Sequence, residues 1–358
     1  MNLSKKQKEI VETENEKVIA ICAAASGKTT ILVARTRYLL ENGVDPKDIV
    51  LLTFTNSAAE ELYTRLNRPK NLFVGTIHSY ANSLLIEKGY QTHEIIEEER
   101  FNELFESVKC HPDCLKPVKY LLLDESQDSN FTQFEFILDV VNPQNYMLVG
   151  DYRQCIYRWN KADPDYLINL SKNFDVVTYD LNENYRNGNT ILGFAKRIIA
   201  RAGYEYKDNS IPMSLDDGQV IDIPFNDTKL VRYLQNTVNY KDWFILTRTN
   251  AQLDDIMGLL QAANIPCDTF KRADMDNTQL RQRMEANTVK VLTIHTSKGL
   301  EADNVIVIGA NMFNTEETCV SYVAATRARH LLIWMDTKLV KRKTYAYNKP
   351  RTKELNWE

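Results

Sequence analysis

CAAASGKTT, residues 22–30, directly follows an apolar run at residues 18–21. A second apolar run, residues 120–123, leads into DESQD at residues 124–128. A strand that ends in Gly-Lys-Thr and a strand that ends in Asp-Glu are the two halves of a nucleotide-triphosphatase site. Together they predict an α/β fold with a phosphate loop after its first strand, and they indicate ATP hydrolysis.

The residue types in these two segments fit phosphoryl transfer. A loop that opens a helix points N–H groups at phosphate oxygens, Lys28 adds a positive charge, and Thr29 offers a hydroxyl to Mg²⁺. Asp124 is expected to hold the water shell of the metal, and Glu125 to polarise the attacking water. The GKT tripeptide alone fits an ordinary helix start capped by Ser26 equally well, so the acidic segment decides between the two interpretations.

The phosphate loop is poor in glycine. Cys22, Ala23 and Ala25 occupy loop positions where a glycine often allows a tight turn, and only Gly27 remains. An alanine at positive φ costs about 1 kcal/mol. We therefore expect a loop that is strained, reshaped or weaker in binding nucleotide.

Composition sets the outer limits of the interpretation. A chain of 358 residues with 44% hydrophobic content is long enough for two domains. It has no apolar stretch of membrane-spanning length and a polar N-terminus, so we expect a cytoplasmic protein without a membrane partner. Its net charge of −4 argues against a wholly basic surface for polyanions but allows a local groove.

The six cysteines do not suggest a metal centre. Only Cys110 and Cys114 lie close together in the sequence, and no second pair stands at ligand spacing. Zinc is therefore not expected, and the cysteines are interpreted as reduced thiols.

Apolar runs alternate with helical patterns along the whole chain, which predicts parallel sheets covered by helices. The first series of predicted strands covers residues 18–22, 49–55, 72–77, 120–124, 146–150 and 176–181. A polar, turn-rich connector at 201–219 separates it from a second series at 243–247, 267–271, 289–294, 304–308 and 331–335. The second series has no GKT, so its arginines are the natural groups to reach into the site of the first.

Nine segments occur in a fixed order along the chain. They are LSKKQKEIV (3–11), LLTFTNSAAEEL (51–62), VGTIHSYANSLL (74–85), LLLDESQDS (121–129), LVGDYRQCIYRW (148–159), LNENYR (181–186), ILTRTNAQ (245–252), VLTIHTSKGLE (291–301) and YVAATRA (322–328). In this order they resemble the motifs of superfamily 1 helicases of the UvrD/Rep/PcrA type. The resemblance covers nearly the whole chain, from Leu3 to about Arg329.

The resemblance implies two RecA-like domains of the P-loop NTPase fold, with ATP and Mg²⁺ between them. The first would occupy residues 1–188 and hold the Walker A and B motifs, the second residues 189–345 with an arginine finger, and residues 346–358 would form a C-terminal tail. No function is assigned to the tail. The setting implied is bacterial or phage-encoded.

The same resemblance assigns roles at the ATP site. Gln7 and Tyr185 would contact adenine and Glu301 the ribose, while Gln154 would sense the γ-phosphate. The implied catalytic set is Lys28, Asp124, Glu125, Gln154, Arg186 and Arg327. The implied ATP-binding set is Gln7, Ala24, Ala25, Ser26, Gly27, Lys28, Thr29, Thr30, Tyr185 and Glu301, with Thr29 and Asp124 at the metal.

The implied partner is single-stranded DNA, or duplex with a single-stranded tail, and the implied polarity is 3′ to 5′. The implied DNA contacts are Phe54, Asn56, Thr76, His78, Tyr157, Trp159, Thr293 and His295. Aromatic faces that accept any base suit sequence-independent binding. Trp159 is the leading candidate among them, and its alternative is a buried core indole.

Several positions depart from the family pattern. Thr30 stands where many relatives carry an arginine near the base, and Asn160-Lys161 follows Trp159 where relatives often have Arg-Gly. Segments 86–123 and 273–288 are too short for the inserted subdomains of longer relatives. We therefore expect a minimal motor that moves along single strands, with a protein partner supplying duplex engagement.

Two other functions remain open at this stage. One is a regulatory module that binds nucleotide without turnover, and the other is an ATPase subunit of a larger DNA repair, replication, plasmid or phage-defence assembly. RNA as the track fits the DNA-type motif set less well.

Overall fold

The two series of predicted strands lie in two separate six-stranded parallel sheets in the computed structural model, which describes residues 2–270, 275 and 277–336. The first sheet has the order β3-β2-β4-β5-β1-β6. Its strands are β1 (Lys17–Cys22), β2 (Ile49–Thr53), β3 (Phe73–Thr76), β4 (Tyr120–Leu123), β5 (Asn145–Gly150) and β6 (Val177–Leu181). All the strand pairs in this sheet are parallel.

The strand order explains where the first motifs meet. β5 lies between β4 and β1, and Ile19 of β1 is in register with Leu148 of β5. The carboxyl ends of parallel strands share one edge of a sheet, where ligands bind. The phosphate loop, Asp124-Glu125 and the segment after β5 therefore lie side by side.

Helices cover both faces of the first sheet. They are α1 (Lys5–Glu12), α2 (Lys28–Glu41), α3 (Asn56–Arg65), α4 (Ile77–Glu87), α5 (His93–Glu97), α6 (Asn102–Cys110), α7 (Phe131–Glu135) and α8 (Pro164–Ser171). Two separate clusters of buried apolar side chains, one containing Ile19 and the other Ala20, lie on opposite faces of β1. This two-sided burial is why the strands appear in the sequence as continuous apolar runs.

The second sheet has the order β11-β12-β10-β13-β14-β9, again parallel throughout. Its strands are β9 (Gln219–Pro224), β10 (Trp243–Thr247), β11 (Cys267–Asp268), β12 (Val289–Thr293), β13 (Ala302–Ile308) and β14 (Ala328–Asp336). The short strands β7 (Glu183–Asn184) and β8 (Ile211–Pro212) pair with each other near the connector. The helices of this half are α9 (Asn189–Ile199), α10 (Asp227–Gln235), α11 (Asn250–Ala262), α12 (Asn277–Glu285) and α13 (Thr315–Ala325).

The sequence interpretation missed several of these elements. The strands β7, β8 and β9 and helix α10 were not predicted, and β8 lies inside the stretch interpreted as a connector. The strand predicted at 49–55 ends at Thr53, because Thr55 accepts a hydrogen bond from Ala58 N and caps α3. Part of the strand predicted at 267–271 and all of the tail at 346–358 lie outside the described residues.

Helix α13 lies at the junction between the two halves. All its side chains from Thr318 to Ala325 are buried, and the apolar ones belong to a cluster that also contains Ala24 and Ile156 of the first half. The α/β architecture with two parallel sheets agrees with the prediction. Within the described part of the chain, no helix has the length and apolar character needed to cross a membrane.

Candidate functional site: an interdomain cleft and an adjoining groove

The phosphate loop turns through two left-handed residues, Ala25 at φ 56° and Gly27 at φ 87°. The strain expected of an alanine in this loop is therefore present at Ala25. At Gly27, an added Cβ would lie 3.0 Å from Gln7 Nε2, so a larger residue would displace the Gln7 amide. Helix α2 starts at Lys28, immediately after the turn.

The oxygen donors at the head of α2 suit a small divalent cation. The Thr29 hydroxyl donates to Asp124 Oδ2 at 3.0 Å, and the Glu125 backbone N–H donates to Asp124 Oδ1 at 2.9 Å. Mg²⁺ prefers such a hydroxyl and carboxylate together with waters. Burial and the neighbouring Glu125 raise the pKa of Asp124 above its usual range, a shift that a bound cation would oppose.

Glu125 is held charged by its surroundings. Its Oε2 accepts a hydrogen bond from Gln127 Nε2 at 2.6 Å. Burial alone would raise the pKa of Glu125, but the positive charges of Lys28 and Lys298 outweigh it and hold that pKa below its usual range. A charged carboxylate in this position can accept a proton from water.

Gln154 and Arg327 meet across the cleft from opposite halves of the chain. Gln154 Nε2 donates to Asp151 Oδ2 at 2.7 Å, and Arg327 Nη2 donates to Gln154 Oε1 at 3.4 Å. Arg327 also donates to the carbonyl oxygens of Val323 and Leu300. Burial and, next, the nearby Arg186 lower the pKa of Arg327.

Arg186 and Glu301 form an ion pair beside this contact, and Arg186 Nη1 donates to Thr326 O at 3.0 Å. Arg329 pairs with the other oxygen of Glu301. Tyr185 is half-exposed, and its backbone N–H donates to Ala25 O at 3.1 Å. An aromatic ring at the rim and a carboxylate flanked by arginines thus face the phosphate loop.

These groups wall one open cleft of about 820 Å³ between the two sheets. The predicted residues that line it are Ala25, Ser26, Gly27, Lys28, Thr29, Thr30, Glu125, Gln154, Tyr185, Arg186, Glu301 and Arg327. Three predicted ATP-site residues do not line the cleft. Asp124 lies behind Thr29, the Ala24 carbonyl accepts from Asn184 Nδ2, and Gln7 donates to Ser26 O at 3.0 Å. The adenine contact assigned to Gln7 stays a prediction.

Several residues that line the cleft were missed by the sequence interpretation. Arg65 Nη2 donates to Thr30 Oγ1 at 3.2 Å. Helix α3 therefore brings a guanidinium to the position where this chain has Thr30 instead of the arginine of the family pattern. Arg329 and His330 directly follow the YVAATRA segment and also line the cleft. Their proximity to that segment was the available signal, whereas no local pattern brings Arg65 to Thr30.

Lys298 lies where the cleft adjoins a second depression. It is buried, pairs with Asp128, and donates to Gln154 O at 2.9 Å. Its ammonium group also lies 4.9 Å from the centre of the Tyr157 ring. One side chain from the second half therefore contacts the first half beside both depressions.

The second depression is a groove of about 620 Å³ that contains most of the predicted DNA contacts. Phe54 and Tyr157 stack within it, with ring centres 5.1 Å apart and planes at 17°. The predicted residues that line it are Phe54, Asn56, Thr76, His78, Tyr157 and His295. Burial is the main cause that lowers the pKa of both histidines, which favours their neutral forms at neutral pH.

Trp159 and Thr293 are not among the groove-lining residues. Trp159 is 73% exposed and meets the Tyr157 ring edge-on at 6.0 Å, so it is not a core indole. The Thr293 hydroxyl instead shares a hydrogen bond with Thr296 at 2.9 Å. Phe101, from the short segment between α5 and α6, lines the groove and was not predicted.

Two parallel sheets that share a phosphate-loop cleft, with arginines from the second sheet facing the loop of the first, define a P-loop NTPase with two RecA-like halves. A family profile described as the UvrD/REP helicase N-terminal domain matches residues 3–111 and 98–175. A second profile, the UvrD-like helicase C-terminal domain, matches residues 288–335. The chain belongs to the UvrD/Rep family of DNA helicases.

Curated relatives extend the match over most of the chain. A probable DNA helicase of Mycoplasma pneumoniae is 25% identical over 449 positions, covering 92% of this chain and 82% of that protein. The ATP-dependent DNA helicase Rep of Buchnera aphidicola is 25% identical and PcrA of Staphylococcus aureus 23% identical. These two matches cover 76% and 74% of this chain, which spans only 58% and 50% of the relatives' lengths.

The three alignments indicate where the extra length lies. They extend over 449, 376 and 367 positions, each more than the 358 residues of this chain, although none covers the chain completely. The relatives therefore carry segments inside the matched region that this chain lacks. This agrees with the short segments between its motifs.

Proposed function

We propose that this chain is an ATP-driven translocase on single-stranded DNA that moves 3′ to 5′. One observation carries the proposal: both halves of the chain wall the cleft, both wall the groove, and Lys298 contacts the first half beside the two. A change in the distance between the halves alters both sites at once. ATP-dependent motion along a strand requires such a connection.

The residues of the cleft divide the chemistry of hydrolysis among them. Lys28 and the loop N–H groups bind the phosphates, and Glu125 takes the proton of the attacking water. Thr29 and Asp124 would hold Mg²⁺, which would neutralise charge on the phosphate oxygens. Arg186, Arg327 and Gln154 stabilise the charge that develops on the transferred phosphoryl group.

Coupling follows from the placement of these groups on two RecA-like domains, which we divide between residues 188 and 189. Arg327 belongs to the second domain, and Arg186, at the end of the first, contacts Glu301 and Thr326 of the second. The phosphate loop belongs to the first domain, so nucleotide binding draws the two domains together. The groove then changes its width, and affinity for the strand alternates between the domains. Stacked aromatic rings hold bases without reading their sequence.

Without the inserted subdomains of its longer relatives, the chain is expected to translocate but not to unwind duplex processively by itself. Translocation along a single strand, or along the tail of a partial duplex, fits the two halves by themselves. For processive strand separation we propose a protein partner that engages the duplex. We place this activity in the cytoplasm of a bacterial or phage-infected cell.

A streptavidin-displacement assay tests the proposal. Oligonucleotides carrying biotin at one end and bound streptavidin report the direction in which a motor arrives. We expect ATP-dependent release of streptavidin from the 5′ end and much slower release from the 3′ end. Faster release from the 3′ end would overturn the polarity, and equal slow release from both ends would overturn translocation.

A regulatory module that binds nucleotide without turnover is the second candidate. The strained loop conformation of Ala25 favours it, because a strained loop holds the transferred phosphate less precisely for hydrolysis while its lysine and N–H groups still bind nucleotide. Nucleotide binding with no hydrolysis, in the presence of DNA, would support this function in place of the motor.

A further inference from the structure

A buried polar cluster lies behind Gln154 and is not part of either predicted set. Its members are Asp151, Arg153, Asp208 and Tyr322, all buried. Asp151 and Arg153 follow β5 in the first half, Asp208 lies in the connector, and Tyr322 lies on α13 in the second half. The cluster therefore joins three regions that are distant in sequence.

Hydrogen bonds run through this cluster without interruption. Arg153 Nε donates to Asp151 Oδ1 at 2.6 Å, and Arg153 Nη1 to Asp208 Oδ1 at 3.4 Å. The Tyr322 hydroxyl donates to Asp208 Oδ2 at 2.9 Å. Arg153 also donates to Lys207 O at 3.3 Å, which fixes the connector on both its side chain and its backbone.

Both ends of the cluster reach the cleft. At one end Asp151 accepts from the Gln154 amide through the oxygen that Arg153 does not use. At the other end Tyr322 lies in the last turns of α13, where its carbonyl accepts from the Thr326 hydroxyl just before Arg327. Because Arg327 in turn donates to Gln154 Oε1, the contacts form a closed ring.

Burying these charges costs free energy, which argues that the cluster serves to fix the geometry of the ATP site. Two carboxylates and one guanidinium are removed from water, and a buried ion pair contributes little net stability compared with well-packed apolar side chains. The charged groups instead fix side-chain orientations, since each hydrogen bond holds its partner in one orientation. Gln154 is oriented from its nitrogen side, and the end of α13 from Tyr322.

We propose that Asp208 is a positioning residue of the ATP site, which acts through Arg153 and Tyr322 to hold Gln154 and Arg327 in register across the cleft. The inference rests on the proposed function and deepens it, because it makes the connector part of the hydrolytic machinery. Asp208 itself touches neither the cleft nor the groove.

Tyr322→Phe is the sharpest variant, because it removes one hydroxyl from Asp208 and keeps the ring. We expect kcat for DNA-stimulated ATP hydrolysis to fall about tenfold, as for loss of one hydrogen bond to a charged group, with KM for ATP changed less than about twofold. The control is Tyr179→Phe, which removes a hydroxyl bonded to Thr13 at 2.9 Å, away from the cleft. Equal kcat values for the two variants would overturn the inference.

A mutant cycle distinguishes positioning from a loss of folding. If the ring acts as one unit, Arg153→Met combined with Tyr322→Phe lowers kcat no further than the more damaging single change. Independent, multiplying effects would contradict the ring. Thermal unfolding of each variant, compared with Tyr179→Phe, reports any general destabilisation.

A binding measurement separates this inference from the proposed function. The affinity for oligo(dT) is measured with and without a nonhydrolysable ATP analogue, so that it does not depend on turnover. Tyr322→Phe is expected to shrink the effect of the analogue at least about threefold. If the wild-type chain shows no turnover, the proposed function fails, while an unchanged analogue effect in the variant overturns the inference.

Discussion

Ala25 has a backbone conformation that favours glycine, in the middle of the loop that must approach phosphate. Relief of its strain is worth about 1 kcal/mol, partly offset because glycine gains freedom in the unfolded chain. We therefore expect Ala25→Gly to leave the free energy of unfolding unchanged or raise it, and to tighten binding of an ATP analogue. Denaturant titration and analogue fluorescence measure the two quantities.

The matched control is Ala23→Gly in the same loop. Ala23 is buried and does not have a positive φ, so glycine there brings only the entropic cost of about 0.5 to 1 kcal/mol. Equal destabilisation by the two substitutions would show that the conformation of Ala25 is not strained.

Glu301 makes the stability of the folded chain depend on pH. Burial alone would raise the pKa of this carboxyl, but Arg186 and Arg329 outweigh it and hold its pKa at about 2. Because this value lies below the unfolded pKa of about 4.3, the charged group stabilises the folded state above pH 4.3 and loses that effect as the pH falls toward 2. The advantage of wild type over Glu301→Gln in thermal midpoint should therefore be smaller at pH 3.5 than at pH 7.

Scanning calorimetry of both proteins at the two pH values tests this sign. A difference in midpoint that stays constant, or grows as the pH falls, would mean that the ion pairs of Glu301 do not form in solution.

At the scale of single elements, the groove contains a ring that the motif pattern did not mark. Phe101 is 39% exposed, lines the groove, and lies 5.6 Å from the His78 ring. Removing an aromatic platform costs roughly 1 to 3 kcal/mol of single-strand binding. We expect Phe101→Ala to weaken oligo(dT) binding about tenfold, as measured by fluorescence anisotropy, with ATP turnover at saturating DNA unchanged.

Phe174→Ala provides the comparison, because Phe174 is 95% exposed and is not among the groove-lining residues. Its affinity should match that of wild type. Identical affinity for Phe101→Ala would remove Phe101 from the DNA-binding surface.

The elements that could be predicted from sequence are those buried on both sides. β1 and β10 are continuous apolar runs because other side chains cover both of their faces. Strand β9, in contrast, lies at the edge of its sheet, all six of its residues are partly buried or exposed, and it pairs with β14, which is distant in the sequence. Nothing local distinguishes it from a polar connector.

The same limit applies at the scale of the whole molecule. Motif order was enough to predict that Lys28, Glu125 and Arg327 share one cleft. It was not enough to predict the contacts Arg65–Thr30 and Lys298–Gln154, or the ring through Asp208. The Arg65–Thr30 contact depends on how α2 and α3 pack on the first sheet, and the other two depend on how the two halves pack.

The most direct test of a motor built from two halves is the rate of ATP hydrolysis with and without single-stranded DNA, with Glu125→Gln as the blank. DNA in the groove should fix the distance between the halves and so bring Arg186 and Arg327 to the phosphates. We predict that turnover rises at least about tenfold with DNA and is lost in Glu125→Gln, which still binds nucleotide. A rate of ATP hydrolysis that does not change with DNA, or that persists in Glu125→Gln, would contradict the account.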